Sequence, residues 1–218
     1  MMVRFLLIRH GESEGNLHGL FLGQTDAPLT PRGVLQAKRA AAYIVSHWHV
    51  DAVYASDLRR AYDTGREVAA LVGLPVQKEP ALREIYAGEW ENKAYAALPV
   101  LYPADWERWL TDIGHVHCTG GESAAEVQFR AMRRMTELAQ QPENDGKTLV
   151  VAVHAMVLRC MCTAMLGMPL DGMKNVPFVH NASVTTALYD PEANAWHVET
   201  LGYDGFMGEI ATALPGNV

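Results

Sequence analysis

Two short apolar runs constrain the fold of this chain more than any other feature. Residues 3–8 (VRFLLI) and 148–153 (TLVVAV) are nearly all apolar and show no polar alternation. Runs of that length and composition are expected of strands covered on both faces in a parallel sheet. The first leads into Arg9-His10-Gly11 and the second into His154. Ligands of open α/β sheets sit beyond the carboxyl ends of the strands, so both histidines fall where chemistry is expected. His10 is a candidate nucleophile or base, and Arg9 beside it can hold an anion. Gly11 allows a sharp turn and a close approach of ligand to backbone.

The rest of the chain alternates in a way that supports this reading. Residues 11–28, rich in Gly, Asn, Gln and Asp, read as an active-site loop with at most a short helix. Thr30 followed by Pro31 is an N-cap with proline at the first helical position. The helix it opens runs to about His49 and is expected to carry Leu35, Ala42 and Ile44 on its apolar face. A strand at 52–55 and a helix at 58–71 follow, the helix stopped by Gly73 and Pro75. A third strand is expected at 76–82. The stretch from Glu84 to Gly121 is richer in aromatics (Tyr86, Trp90, Tyr95, Tyr102, Trp106, Trp109) and broken by Pro99 and Pro103, so short helices capping the site are expected. A helix at 122–141 shows Ala125, Phe129, Met132, Met135 and Leu138 at helical spacing. After the apolar strand come a helix at 155–166, strands at 183–189 and 196–201 around Asp190-Pro191, and a loose tail from Gly205. The expected fold is a three-layer α/β/α sandwich, with a mostly parallel central sheet, helices on both faces and a small helical cap. Residues 1–218 are read as one domain, with the cap inserted at roughly 86–121.

Composition narrows the partners. A net charge of −7 over 218 residues, with no basic run, argues against nucleic-acid binding. An anionic substrate must therefore be drawn in by a local cluster of cations. Cys118, Cys160 and Cys162 supply no disulfide framework and fit a reducing compartment. With neither a signal-peptide shape nor an apolar stretch of membrane-spanning length, a cytoplasmic protein is expected.

Taken together, the strand ends lead into Arg9-His10, Arg59-Arg60, Arg83-Glu84 and His154. Two histidines, paired arginines and a carboxylic acid make a site for a phosphate dianion plus a proton donor, because arginine forks match phosphate oxygens and a neutral imidazole can attack phosphorus. The order and spacing of several motifs resemble the histidine phosphatase superfamily, the phosphoglycerate-mutase-like proteins. These are Arg9-His10-Gly11-Glu12-Ser13 with Asn16, residues 23–30 (GQTDAPLT), and residues 56–61 (SDLRRA) with Thr64. Leu82-Arg83-Glu84 with Gly88-Glu89-Trp90, then Gly121-Glu122-Ser123, and Val153-His154 complete the set. The resemblance spans nearly the whole chain.

It implies a phosphohistidine formed on His10, phosphoryl oxygens held by Arg9, Arg60 and His154 with Asn16 and Gln24 assisting, and Glu84 as the acid for the leaving oxygen. Arg60 is preferred to Arg59 because the family's arginine directly precedes the alanine. Neither a cofactor nor a metal is expected. The expected partner is a small phosphorylated substrate, a homodimer is left open, and neither nucleic acid nor membrane is expected. The chain departs from the family pattern at Ala155, where glycine is usual, and at Asn181-Ala182-Ser183, read as a matter of packing. Arg108 is the only arginine between Lys93 and Gly121, and Ala87 stands where a mutase prefers tyrosine. Both departures favour hydrolysis over the mutase alternative, and the retained nucleophile and acid favour either over a non-catalytic phosphate-binding module. His115, His117 and Cys118 are the residues that could hold zinc, although no fourth ligand lies nearby in sequence.

Overall fold

The apolar run at the start of the chain is a buried central strand. The structure, a computed structural model, describes residues 1–212. In chain order the elements are β1 (Val3–Arg9), α1 (Glu14–Leu17), β2 (Leu20–Phe21), α2 (Pro31–His47) and β3 (Ala52–Ala55). Then come α3 (Arg59–Val72), β4 (Val76–Lys78), β5 (Lys93–Ala94), α4 (Leu98–Leu101) and α5 (Pro103–Thr111). The last are α6 (Ala124–Ala139), β6 (Thr148–Val153), α7 (Ala155–Met165), β7 (Val184–Asp190) and β8 (Ala195–Tyr203). Six strands form one sheet in the order β4-β3-β6-β1-β7-β8. The pairings among β1, β3, β4 and β6 are parallel, whereas β7 runs antiparallel to β1 and forms a hairpin with β8.

Alternate residues of β1 serve two separate cores, as the period-two geometry of a strand requires. Phe5 and Leu7, with Leu149 and Val151, pack with Val127, Ala131, Met135 and Leu158 from α6 and α7. Leu6 and Ile8, with Val53 and Val150, pack with Ala40, Ala41, Ile44, Val68 and Ala69 from α2 and α3. Each fully buried side chain of this kind contributes about 1.5–3 kcal/mol. The cap rests on the first core: β2 pairs with β5, and the Phe21 ring lies 5.4, 5.3 and 5.1 Å from Trp90, Tyr95 and Trp109. No described helix is long and apolar enough to cross a membrane.

Several elements differ from the sequence expectation. The third strand stops at Lys78, because Pro80 lacks the N–H needed to continue the ladder and opens a 3-10 turn at Pro80–Leu82. Glu84 therefore lies in a loop beyond the sheet. Helix α2 turns Gly33, Gln36, Ala37, Ala40, Ala41 and Ile44 inward and leaves Leu35 exposed. The small residues let α2 approach α3 closely, and buried Gln36 has polar work: its Oε1 accepts from the Glu12 amide at 2.8 Å. In α6 the buried stripe is Ala124, Val127, Ala131, Met135 and Leu138, so Ala125 is exposed and Phe129 is 70% exposed. The tail expected to be loose packs down as far as Thr212. Met207 is buried, Arg39 donates to its carbonyl, and Gln36 Nε2 donates to Ile210 O at 2.7 Å. The part of that expectation concerning 213–218 falls outside the described residues.

The loop after β1 is held by a backbone contact that tolerates no side chain. A Cβ on Gly33 would stand 2.0 Å from the Glu12 carbonyl oxygen, and one on Gly11 would stand 2.3 Å from the Gly33 oxygen. Gly65, by contrast, would meet only the Ala55 and Ala152 methyls at 3.3 Å. Gly33→Ala is expected to cost about 1–3 kcal/mol in urea denaturation, and more than Gly65→Ala, because backbone must move. Equal midpoints for the two variants would show that the loop yields freely.

Candidate active site

His10 follows directly on β1, its amide donating to Val153 O at 2.9 Å. Its Nδ1 lies 2.7 Å from the Gly11 carbonyl oxygen. A carbonyl only accepts, so Nδ1 carries the proton and the neutral ring keeps its lone pair on Nε2. Burial, then Arg60 and Arg9, push the His10 pKa well below its usual 6.5. The ring is thus held in its nucleophilic form.

Two guanidinium groups flank it. Arg9 Nη1 donates to Val179 O at 2.5 Å, while its Nε is buried with no partner among the described residues. Arg60 donates to Thr25 O at 2.9 Å and Gly23 O at 2.7 Å, which fixes its plane. Both line one cleft with His10, Ser13, Asn16 and Glu84. Arg59 points elsewhere, its side chain 62% exposed and paired with Asp63. Asn16 accepts from the Ser13 amide and from Asn181 Nδ2, leaving its own amide nitrogen without a partner among the described residues.

His154 lies beneath the cleft, fully buried, with its ring centroid 5.2 Å from that of His10. Its Nε2 is 2.8 Å from Ser56 Oγ, which also accepts the Leu58 amide, and its Nδ1 is buried without a partner. Burial, then Arg60 and His10, hold its pKa well below the usual value. Glu84 reaches the cleft from its loop because backbone amides hold its carboxyl group. Oε1 accepts from Ile85 at 2.9 Å and Val157 at 3.3 Å, and Oε2 from Met156 at 3.2 Å. Two of these donors belong to the first turn of α7, where free amides favour an acidic group.

One sequence reading lands differently: Gln24 does not line the cleft, and its side chain donates to the Glu84 carbonyl at 3.2 Å. Ala182 is fully buried in the second core, while its neighbour Asn181 donates to His10 O at 3.1 Å and to Asn16, and accepts from Thr212 Oγ1 at 3.0 Å. His115 faces Asp112 and Asp171, while His117 meets the Gly121 carbonyl. Among the described residues no cluster of three His, Cys, Asp or Glu could hold a metal ion. Arg130 was not anticipated. It grips Glu122 with two bonds and donates to the carbonyls of Ala81 and Glu84, clamping the backbone around the acid. Trp109 and Phe178 also line the cleft, and nothing local in the sequence marks either for that role.

The geometry agrees with what known proteins share with this chain. Residues 5–203 match the profile of the histidine phosphatase superfamily (branch 1). Phosphoserine phosphatase 1 of Hydrogenobacter thermophilus is 37% identical over 170 residues, covering 78% of this chain and 79% of that protein. A probable phosphoglycerate mutase of Proteus mirabilis is 30% identical over 214 residues, covering 96% and 97%. The structure of a mycobacterial glucosyl-3-phosphoglycerate phosphatase superposes with a TM-score of 0.84 at 28% identity, covering 94% of this chain and 100% of that one. A family profile matched over residues 5–203 leaves one conclusion: the chain belongs to the histidine phosphatase superfamily, branch 1.

Proposed function

We propose that the protein hydrolyses a small phosphomonoester in two steps through a phosphohistidine on His10. The observation that carries this reading is the Nδ1–Gly11 hydrogen bond, which leaves Nε2 free to attack between two buried arginines. In the first step Nε2 bonds to phosphorus as the ester P–O bond breaks, and the departing alkoxide takes a proton by way of Glu84. In the second, water attacks phosphorus, its proton passes to Glu84, the P–N bond breaks, and neutral His10 is restored. Arg9 and Arg60 hold the non-bridging oxygens and stabilise the charge that spreads over them. The Ser56 hydroxyl donates its hydrogen bond to the lone pair of His154 Nε2, so the ring proton sits on Nδ1, which can then donate toward the phosphoryl group.

Hydrolysis is preferred to mutase chemistry because the wall facing the leaving group carries no cation for a substrate carboxylate; Arg108 is not among the lining residues. A binding module has no use for a free Nε2 and an acid in one cleft. A reducing, cytoplasmic compartment suits the three unpaired buried thiols.

Quenching with ³²P-labelled ester is expected to trap an acid-labile, base-stable phosphoprotein. His10→Ala should abolish the label; an unchanged yield would overturn the assignment. Glu84→Gln should slow single-turnover phosphorylation by an alkyl phosphate by on the order of 10²–10⁴, and by p-nitrophenyl phosphate far less, since nitrophenolate leaves unaided. Equal losses on both would mean that Glu84 only shapes the site.

Acid should weaken the fold through the same histidine. Because the folded-state pKa of His10 is depressed, the unfolded chain binds more protons below the ordinary value of 6.5. The stability contributed by neutral His10 is therefore complete above that pH and is lost as pH falls from there toward the folded-state pKa. Urea midpoints measured from pH 7.5 to 5 should decline below 6.5, and less steeply in His10→Gln. Parallel declines would remove His10 as the source.

A further inference from the structure

One wall residue of the cleft carries a donor that the fold leaves unused. Tyr95 is the first residue of the 3-10 turn Tyr95–Ala97, and its amide donates to Gly19 O at 2.9 Å. Its ring lies 5.3 Å from that of Phe21 and meets Trp106 edge-on at 6.4 Å, so it is held from two sides. It lines the cleft together with Arg9, His10, Arg60 and Glu84. Other aromatic donors of the cap are spent within the protein. Trp90 Nε1 donates to Thr119 Oγ1 at 3.2 Å, and the Tyr102 hydroxyl donates to Glu89 O at 3.3 Å.

The Tyr95 hydroxyl has no hydrogen-bond partner among the described residues, yet it is not sealed in. The buried polar side-chain atoms left without a partner there are Arg9 Nε, Trp109 Nε1 and His154 Nδ1. Tyr95 is only partly buried and its oxygen is not among them, so that oxygen keeps contact with solvent. Burial is the largest influence on the hydroxyl and pushes its pKa up to about 12, so it stays protonated. The charged groups that act on it next are Arg9, Glu84 and Arg60, in that order, and all three line the cleft. On Arg9, in turn, the Tyr95 hydroxyl is the strongest influence after burial, ahead of Glu84. The hydroxyl end of the ring therefore faces the phosphate clamp. Phenylalanine would pack against Phe21 and Trp106 equally well, so packing alone does not account for the oxygen. A neutral donor at this place adds a bond to an anion without adding a positive charge beside His10.

We propose that the Tyr95 hydroxyl donates a hydrogen bond to a phosphoryl oxygen of the substrate, on the side held by Arg9. Tyr95 is then a catalytic residue contributed by the cap. This deepens the phosphatase reading above and rests on it.

The test is Tyr95→Phe, read first as the affinity of the resting protein for inorganic phosphate and for orthovanadate by calorimetry. Both affinities are expected to fall about ten- to a hundredfold, the range for one hydrogen bond to a charged group. kcat/KM should fall by a similar factor for an alkyl phosphate and for p-nitrophenyl phosphate, because both carry the same phosphoryl group. The urea midpoint should stay where it is, since the hydroxyl removed bonds to nothing in the described protein. Unchanged affinity for phosphate and vanadate would overturn the contact and leave Tyr95 as wall alone. A loss confined to the alkyl ester, with phosphate affinity kept, would put the hydroxyl at the leaving oxygen and overturn it equally. If Tyr95→Phe does not fold, Tyr95→3-fluorotyrosine keeps the hydroxyl, and its ¹⁹F resonance should shift when inorganic phosphate is added; an unmoved resonance would overturn the proposal. Failure of every ester to label His10 would remove the phosphatase reading, whereas the phosphate measurements need no turnover and decide the Tyr95 contact by themselves.

Discussion

Two guanidinium groups buried against an uncharged imidazole are the condition the rest of this molecule sustains. Charges removed from water need compensation, and here the compensation is mostly dipolar. The carbonyls of Val179, Thr25 and Gly23 hold the arginines, and among the described residues Glu84 is the one carboxylate lining the cleft. The loops that supply those carbonyls cannot wander without stranding a cation. A phosphate dianion entering the cleft meets donors already fixed, so little reorganisation remains for the reaction itself.

That constraint explains why so many contacts converge on loops instead of on the sheet. Thr64 Oγ1 accepts the Gly11 amide, Gln36 accepts that of Glu12, and Asn181 holds the carbonyl of His10. Arg130 does the same for the backbone around Glu84. Each of these residues lies on an element distant in sequence from the group it steadies. His10 and Glu84 are therefore only as well placed as the packing of α2, α3 and α6 allows.

The same distribution governs what could be read from the chain alone. Continuous apolar runs announced β1 and β6, and a histidine after each was conspicuous because nothing about burial calls for it. Arg60, His154 and Asn16 were legible through motif spacing. Glu84 is visible in the motif, but the apolar pattern places it at the end of a strand that Pro80 stops early. Helical periodicity identified α2 and α6, yet both carry apolar residues on more than one face, so the pattern has a period without a unique phase. Leu35 and Phe129 were put inside where Gln36 and Ala131 are. A buried glutamine, a tail tied down by side-chain hydrogen bonds, and an arginine that clamps a remote loop are long-range features. No local pattern encodes them.

The position of β1 also sets an order of events during synthesis. It is made before its two neighbours, β6 and β7, whose residues begin at Thr148 and Val184. Until then both rows of its backbone groups have no native partner. Contacts so distant in sequence form slowly and leave a chain open to misassociation. Thr212 adds a last tie, to the asparagine that holds His10. A ribosome carrying most of this chain therefore still carries one whose central strand has an open ladder on both sides.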